Sequence, residues 1–238
     1  MTQGVPRSRR TACRRRVLVT GCPRSGTRYT TLVLRRLGLD VGHERIGRDG
    51  VSSWALAVDA EQTPWGPSWG DVRFDVVLHQ VRHPLDVIDS VETLRPASWK
   101  FVSEYAPLDP GQSFPIRGAL LWCHWNRAAE TRAALTYRVE AIAEALPLIC
   151  EAIDVAHDPL AARDVPTDVN TRTRGRAFHL AEESLIRSGI DPGNRLRGVL
   201  ARSRVGHRRQ LTWSRLHESD PRLCERVREL ATTYGYDE

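Results

Sequence analysis

The stretch Val17-Leu-Val-Thr-Gly-Cys-Pro-Arg-Ser-Gly-Thr-Arg-Tyr-Thr-Thr31 decides how this chain is read. The apolar residues 17–19 predict a short strand. Gly21 and Gly26 follow, in a loop that also holds Pro23, Arg24 and Ser25. From 27 to 37, Leu32, Val33 and Leu37 recur at helical spacing and Gly38 supplies a stop, which predicts a helix. Strand, glycine loop and helix together make an anion cradle. Glycine lets the backbone turn sharply and approach a ligand, and the N–H groups of the loop and first helical turn then point at it.

A triphosphate-binding loop reads G-x-x-x-x-G-K-[S/T]. Gly21 and Gly26 have that spacing, but Thr27 and Arg28 stand where the lysine and the Mg²⁺-binding hydroxyl belong. The lysine is what reaches the β/γ-phosphates, and the hydroxyl holds the metal. Here the basic group has moved inside the loop, as Arg24.

Further along, Phe74-Asp-Val-Val-Leu-His-Gln-Val81 is a nearly continuous apolar run, the pattern of a central parallel strand. Pro84 then opens a helix with Leu85, Ile88, Val91 and Leu94 on one face. Helices are expected over 119–135, 142–153 and 221–230, with short strands at 39–41 and 137–139. Stretches 45–70, 96–117 and 157–180 read as irregular, apart from a short helix near 54–60. Strands alternating with helices predict a three-layer αβα fold with a central parallel sheet. The expected organisation is a basic, disordered leader at 1–15 and one domain over 16–238.

The chain has 238 residues, 41% of them hydrophobic, enough for one sizeable core. No apolar run approaches the ~18 residues of a membrane span, and the run after the arginine-rich start is too short for a signal peptide. Five scattered cysteines with no C-x-x-C pair point to reduced thiols in a cytoplasm rather than to disulfides or zinc. The net charge is +6, and Lys100 is the only lysine, so the basic charge is almost all arginine, the better bidentate binder of anions. Its spread over the whole chain argues against nucleic acid as the partner.

Pro23-Arg-Ser-Gly-Thr27 after the first strand resembles the loop of PAPS-dependent sulfotransferases, which carry P-[K/R]-S-G-T-T there. The arginine form is that of tyrosylprotein-type members, and bacterial-type members share the fold. The resemblance implies a P-loop NTPase-like sulfotransferase fold. It also implies that Pro23, Arg24, Ser25, Gly26 and Thr27 hold the 5′-phosphosulfate of 3′-phosphoadenosine 5′-phosphosulfate (PAPS), with no metal. Arg28 departs from the pattern's second threonine; it contacts the cofactor or faces solvent. Tyr29 stands where the family has an aromatic that meets the adenine ring, or else is a core residue.

The family's 3′-phosphate site is an arginine at a strand end and a serine eight residues on. Arg82 and Ser90 have that separation, while the bland alternative for Arg82 is an ion pair with Asp86. A late basic segment, Arg202-Ser-Arg-Val-Gly-His-Arg-Arg209, has the flavour of the segment that closes over the 3′-phosphate. It offers Arg204, Gly206 and Arg208. For the base that deprotonates the acceptor, the resemblance favours Glu44 in Val41-Gly-His-Glu44, with His43 as second candidate. The bland alternative for Glu44 is an ion pair with Arg45 or Arg48.

Sulfuryl transfer from PAPS to a hydroxyl of a small-molecule acceptor (sugar, phenol, lipid or natural product), releasing PAP, is the expected activity. Trp54, Trp65, Trp69, Trp99, Phe101, Tyr105 and Phe114 cluster in the two irregular stretches and could line the acceptor pocket or simply pack those loops. The competing readings are a P-loop nucleotide kinase or NTPase lacking the lysine, and a non-catalytic nucleotide-binding module. A homo-oligomer is left open.

Overall fold

A computed structural model describes residues 15–67, 72–163, 165 and 211–236. Its centre is strand β1 (Val17–Thr20), every residue of which is buried. Helix α1 (Thr27–Arg36) returns over the sheet, and β2 (Val41–His43) and β3 (Gly50–Ser52) follow. A 3₁₀ turn at Trp54–Ala57 leads to a small hairpin, β4 (Gln62–Thr63) and β5 (Gly66–Pro67). Then come β6 (Val76–Val81), α2 (Pro84–Val91), α3 (Pro96–Tyr105) and α4 (Phe114–Glu130). Strand β7 (Leu135–Arg138) and α5 (Ile142–Ile153) precede α6 (Trp213–Ser219) and α7 (Pro221–Thr233).

The main sheet has five strands in the order β2-β3-β1-β6-β7, all parallel. With α1 and α5 on one face and α2, α4 and α7 on the other, this is the three-layer α/β architecture that the alternating pattern predicts. Successive residues of β6 face opposite layers. Gln80 meets Thr30 of α1, whereas His79 meets Asn126 of α4. His79 is a satisfied strand histidine: its ring nitrogens lie 3.2 Å from Thr136 Oγ1 and 3.2 Å from Asn126 Oδ1, and burial lowers its pKa.

The larger core fills the α4 layer. Trp122 and Trp125 of α4 are fully buried, yet neither indole N–H is stranded. Trp122 Nε1 donates to the Arg82 carbonyl at 3.2 Å, and Trp125 Nε1 to the Trp54 carbonyl at 2.8 Å. Such pairing is what lets a buried tryptophan contribute its area without a polar penalty. It also ties the loops after β3 and β6 to one helix.

Two stretches expected to be irregular contain regular elements among their described residues. The 45–70 stretch holds the interior strand β3, paired on both sides, as well as the hairpin. The 96–117 stretch holds α3 and the start of α4. In α3, Pro96 sits in the first turn and Ser98, Phe101 and Val102 are the buried positions, an i, i+3, i+4 stripe with a serine in an apolar slot. The helix expected to begin at 119 begins at Phe114 because Pro115 opens it. Helix α6 was not foreseen; Thr212 Oγ1 caps it by accepting from Arg215 N–H at 3.3 Å. Pro147 lies inside α5 without ending it.

The chain divides into a unit of residues 1–165 with 210–238 and a unit of residues 166–209; every described residue belongs to the first. Nearly all of the leader at 1–15 and most of 157–180 lie outside the described residues. Among the described residues, no helix is long and apolar enough to cross a membrane.

Candidate functional site

In a parallel sheet every strand ends on the same edge, and ligands of open α/β folds bind outside that edge where strand order reverses. Here the reversal lies between β1, whose chain runs on through α1 to β2 on one side, and β6, which leads to β7 on the other. The loop at 21–26 leaves β1 there, and Arg82 follows β6.

The loop is held closely. A Cβ on Gly21 would stand 2.1 Å from the Gln80 carbonyl oxygen, so only glycine fits against β6 at that point. Gly26 caps α1 in a left-handed conformation, φ 95°. Between them Ser25 N–H donates to the Cys22 carbonyl at 3.1 Å, closing a tight turn. Arg24 itself has φ 72°, a conformation that costs a non-glycine residue roughly 1–2 kcal/mol. The Ser25 hydroxyl is fully buried and has no hydrogen-bond partner, as is true of Thr20 at the end of β1. Buried hydroxyls without partners are rare, because each forfeits about 1–3 kcal/mol.

Three residues nominated far apart in the sequence meet beside this loop. Arg24 Nε donates to Ser90 Oγ at 2.8 Å, and Arg82 Nη1 donates to the Arg24 carbonyl at 3.3 Å. The Arg82–Asp86 pair is at 3.9 Å with both side chains about one third exposed, a weak contact that leaves most of the guanidinium's donors for other partners. Arg28 does not face solvent; it is buried in α1. Tyr29 is half-buried, and burial raises its pKa. Arg204, Gly206 and Arg208 lie outside the described residues.

On the other side of β1, β2 ends at His43 and the backbone turns at Glu44, φ 53°. The Glu44 side chain is 14% exposed. Its Oε2 accepts from the Ser53 hydroxyl at 2.5 Å, and its carboxylate also accepts from the Trp54 backbone N–H. Those bonds favour the ionised form, yet burial dominates and pushes the Glu44 pKa up to about 8. Arg48 pairs with Asp49 at 2.7 Å, so the expected alternative of an Arg48–Glu44 ion pair is not what holds this carboxyl. His43 links the two halves of the site. Its Nε2 lies 3.3 Å from Thr27 Oγ1, at the start of α1, and 3.9 Å from Glu44 Oε1.

Trp54 carries the site into an aromatic cluster. Its ring centroid is 5.4 Å from Trp65, 5.7 Å from Phe101 and 5.8 Å from Trp125. Trp54 and Phe101 are core residues, while Trp65 of the hairpin remains 48% exposed. A second stack, Trp99 with Phe114 and Arg117, packs α3 against the start of α4.

Sequence patterns passed over Gln80, Ser53 and Tyr137. Gln80 Nε2 donates to the Ser25 carbonyl at 2.5 Å, and its Oε1 accepts from Thr30 Oγ1 and, at 3.2 Å, from Tyr137 OH. A polar residue inside the apolar run of β6 was the one available signal. Glu140, also unforeseen, braces the far rim by accepting from His83 N–H at 2.9 Å and from Tyr236 OH at 2.7 Å.

No known protein family matches the chain, and no curated protein matches it by sequence. Among solved structures, the crystal structure of mouse sulfotransferase SULT7A1 complexed with PAP aligns over 92% of this chain and 88% of that chain. The identity is 12% and the TM-score 0.41.

Proposed function

We propose that this protein is a PAPS-dependent sulfotransferase that moves a sulfuryl group to a hydroxyl of a small-molecule acceptor. The observation that carries the reading is the meeting of Arg24, Ser90 and Arg82 beside the glycine loop. PAPS has an anionic group at each end of its ribose, and the residues present fit both. The buried, partnerless Ser25 hydroxyl and the loop N–H groups suit the 5′ end, together with Pro23, Gly26 and Thr27. Arg82 and Ser90 suit the 3′-phosphate. Arg28 and Tyr29 are proposed to border the nucleotide.

When bound, PAPS supplies the sulfuryl group and departs as PAP. Arg24 stabilises the charge that grows on the departing nucleotide, a charge-assisted contact in a partly desolvated site. Glu44, once ionised, takes the acceptor's proton. Ser53 and the Trp54 N–H hold the carboxyl, and His43, the second candidate base, lies between it and Thr27. A base whose pKa is near 8 is matched to proton transfer close to neutral pH. Trp65 and the aromatics behind it are proposed to flank the acceptor. We place the enzyme in a reducing cytoplasm; its four described cysteines are all free and buried.

The test is ligand-induced stabilisation. PAP without magnesium is expected to raise the melting temperature, by the equivalent of about 2.7 kcal/mol at a hundredfold excess over Kd. Stabilisation that appears only with ATP and magnesium overturns the reading in favour of an NTPase. Incubation with PAPS and a metabolite extract is then expected to yield products heavier by one sulfuryl group.

Arg82→Ala separates the 3′-phosphate role from a structural one. An arginine–phosphate contact contributes about 1.5–3 kcal/mol, so PAP affinity is expected to fall by roughly 10–150-fold. Arg82 is about one third exposed, so the melting temperature without ligand should change little. Unchanged affinity for PAP by calorimetry removes Arg82 from the nucleotide site.

A further inference from the structure

We propose that Gln80 is a positioning residue of the anion loop: its side-chain amide sets the orientation of the peptide between Ser25 and Gly26. The inference rests on the sulfotransferase reading above and assigns a role to a residue outside the loop itself. Gln80 is fully buried in β6, and its amide has one arrangement that satisfies both ends. Nε2 donates to the Ser25 carbonyl at 2.5 Å. Oε1 accepts from Thr30 Oγ1 of α1 and Tyr137 OH of β7, which lie 3.2 Å from each other. Rotating the amide by half a turn would face its oxygen with the Ser25 carbonyl and its NH₂ with two hydroxyls, so the amide is locked.

The lock has a geometric consequence. A trans peptide points its C=O and the following N–H in opposite directions. With the Ser25 carbonyl drawn onto Gln80, the Gly26 N–H must point away from β6. Gly26 is the N-cap of α1, so that N–H is the first donor of the helix N-terminus, where anions are held. The same residue also backs the loop from below. Its main-chain oxygen is what a Cβ on Gly21 would strike, and its Nε2 would stand 3.4 Å from a Cβ on Gly26. Gln80 thus backs the loop at both glycines and at the carbonyl between them.

Gln80→Glu tests this, because a protonated carboxyl can still donate to the Ser25 carbonyl and an ionised one cannot. The groups packed against the amide do not titrate in its place, and Glu44, which titrates near the loop, does so in both proteins and cancels in the ratio. Tyr137 is in contact with the amide, and burial holds its proton far into the alkaline range. Arg24 and Arg82, from the loop and the strand, keep a fixed charge. Thr30 and Ser25 bear only hydroxyls, and His79 faces the α4 layer.

PAP affinity is measured by calorimetry on protein shown to be folded at each pH, as the ratio of variant to wild type, which cancels the titration of PAP itself. The ratio is expected near one at about pH 5.5 and to fall at least about tenfold by about pH 8.5, as the introduced carboxyl ionises. A ratio that stays flat across that range, even if the melting temperature varies with pH, means that Gln80 only braces the core and overturns the proposal.

Should Gln80→Glu not fold, the double variant Thr30→Val with Tyr137→Phe releases the amide without touching the loop. An affinity lower by about fivefold or more supports the lock, and one within about twofold of wild type overturns it. Wild-type protein that binds no PAP at any pH takes the sulfotransferase reading down as well, so the two failures are distinguishable.

Discussion

Glu44→Gln is expected to slow turnover by about 10²–10⁴-fold, the usual contribution of a general base, while leaving PAP affinity near that of wild type. The same substitution is expected to stabilise the protein at alkaline pH. The folded pKa is about 8, against 4.5 for a free glutamate side chain. Below pH 4.5 both folded and unfolded chains hold the proton, and nothing is lost. Between 4.5 and about 8 the unfolded chain ionises while the folded one does not, so stability falls as pH rises. Above about 8 the loss is complete and amounts to a few kcal/mol, since each pKa unit is worth about 1.4 kcal/mol.

Glutamine keeps an oxygen for the Ser53 hydroxyl and has no proton to lose, so it escapes this penalty. The variant and wild type should therefore melt together near pH 4.5 and diverge by several degrees near pH 9, with the variant higher. Turnover of the wild type should rise with pH to a plateau above about 8, and that limb should vanish in the variant. Near-normal turnover in Glu44→Gln removes Glu44 as the base. His43, 3.3 Å from the Thr27 hydroxyl, is then the group to replace. A stability gap that does not grow with pH would mean that the carboxyl is ionised in the folded protein.

Much of the fold and of the candidate site was legible in the sequence, and the division between what was read and what was missed has a physical basis. Val17–Thr20 and Val76–Val81 announce themselves because strands buried on both faces must be apolar throughout. Arg24, Arg82, Ser90 and Glu44 were nominated by the resemblance of their motifs, and each follows a strand end, where a parallel sheet brings loops together. The interior strand Gly50–Ser52 was hidden. Three residues, two of them glycine and serine, carry no period, and their burial comes from tertiary neighbours β2, β1 and α1. Helix Pro96–Tyr105 was masked by the serine in its buried stripe. Gln80, Ser53 and Tyr137 act only through tertiary apposition: Gln80 lies 55 residues from Ser25, and Tyr137 lies 107 from Thr30. No local spacing encodes such a contact.

Backbone strain points the same way as the side chains. Among the described residues, three other than glycine have positive φ: Arg24, Glu44 and Asp154. Asp154 is the left-handed cap of α5, an ordinary helix ending. Arg24 and Glu44 end no helix, and they are the two residues proposed to handle charge in the reaction. Strain of this kind persists where surrounding structure enforces it, which is common at functional sites.

Arg24→Gly separates strain from function at the loop. Glycine adopts φ 72° freely, so relief of roughly 1–2 kcal/mol opposes the roughly 0.4–1 kcal/mol that glycine's greater unfolded-state freedom costs. The hydrogen bond to Ser90 is lost, at about 1 kcal/mol. The three effects nearly cancel, and stability by urea unfolding is expected within about 1 kcal/mol of wild type. Turnover should nevertheless fall by about 10²–10³-fold, the usual effect of removing one donor from a developing charge. Arg24→Asn, which also tolerates positive φ, should behave alike. A variant that loses more than about 2 kcal/mol of stability yet turns over normally would make Arg24 a structural clasp between the loop and α2, with the departing charge stabilised by other groups.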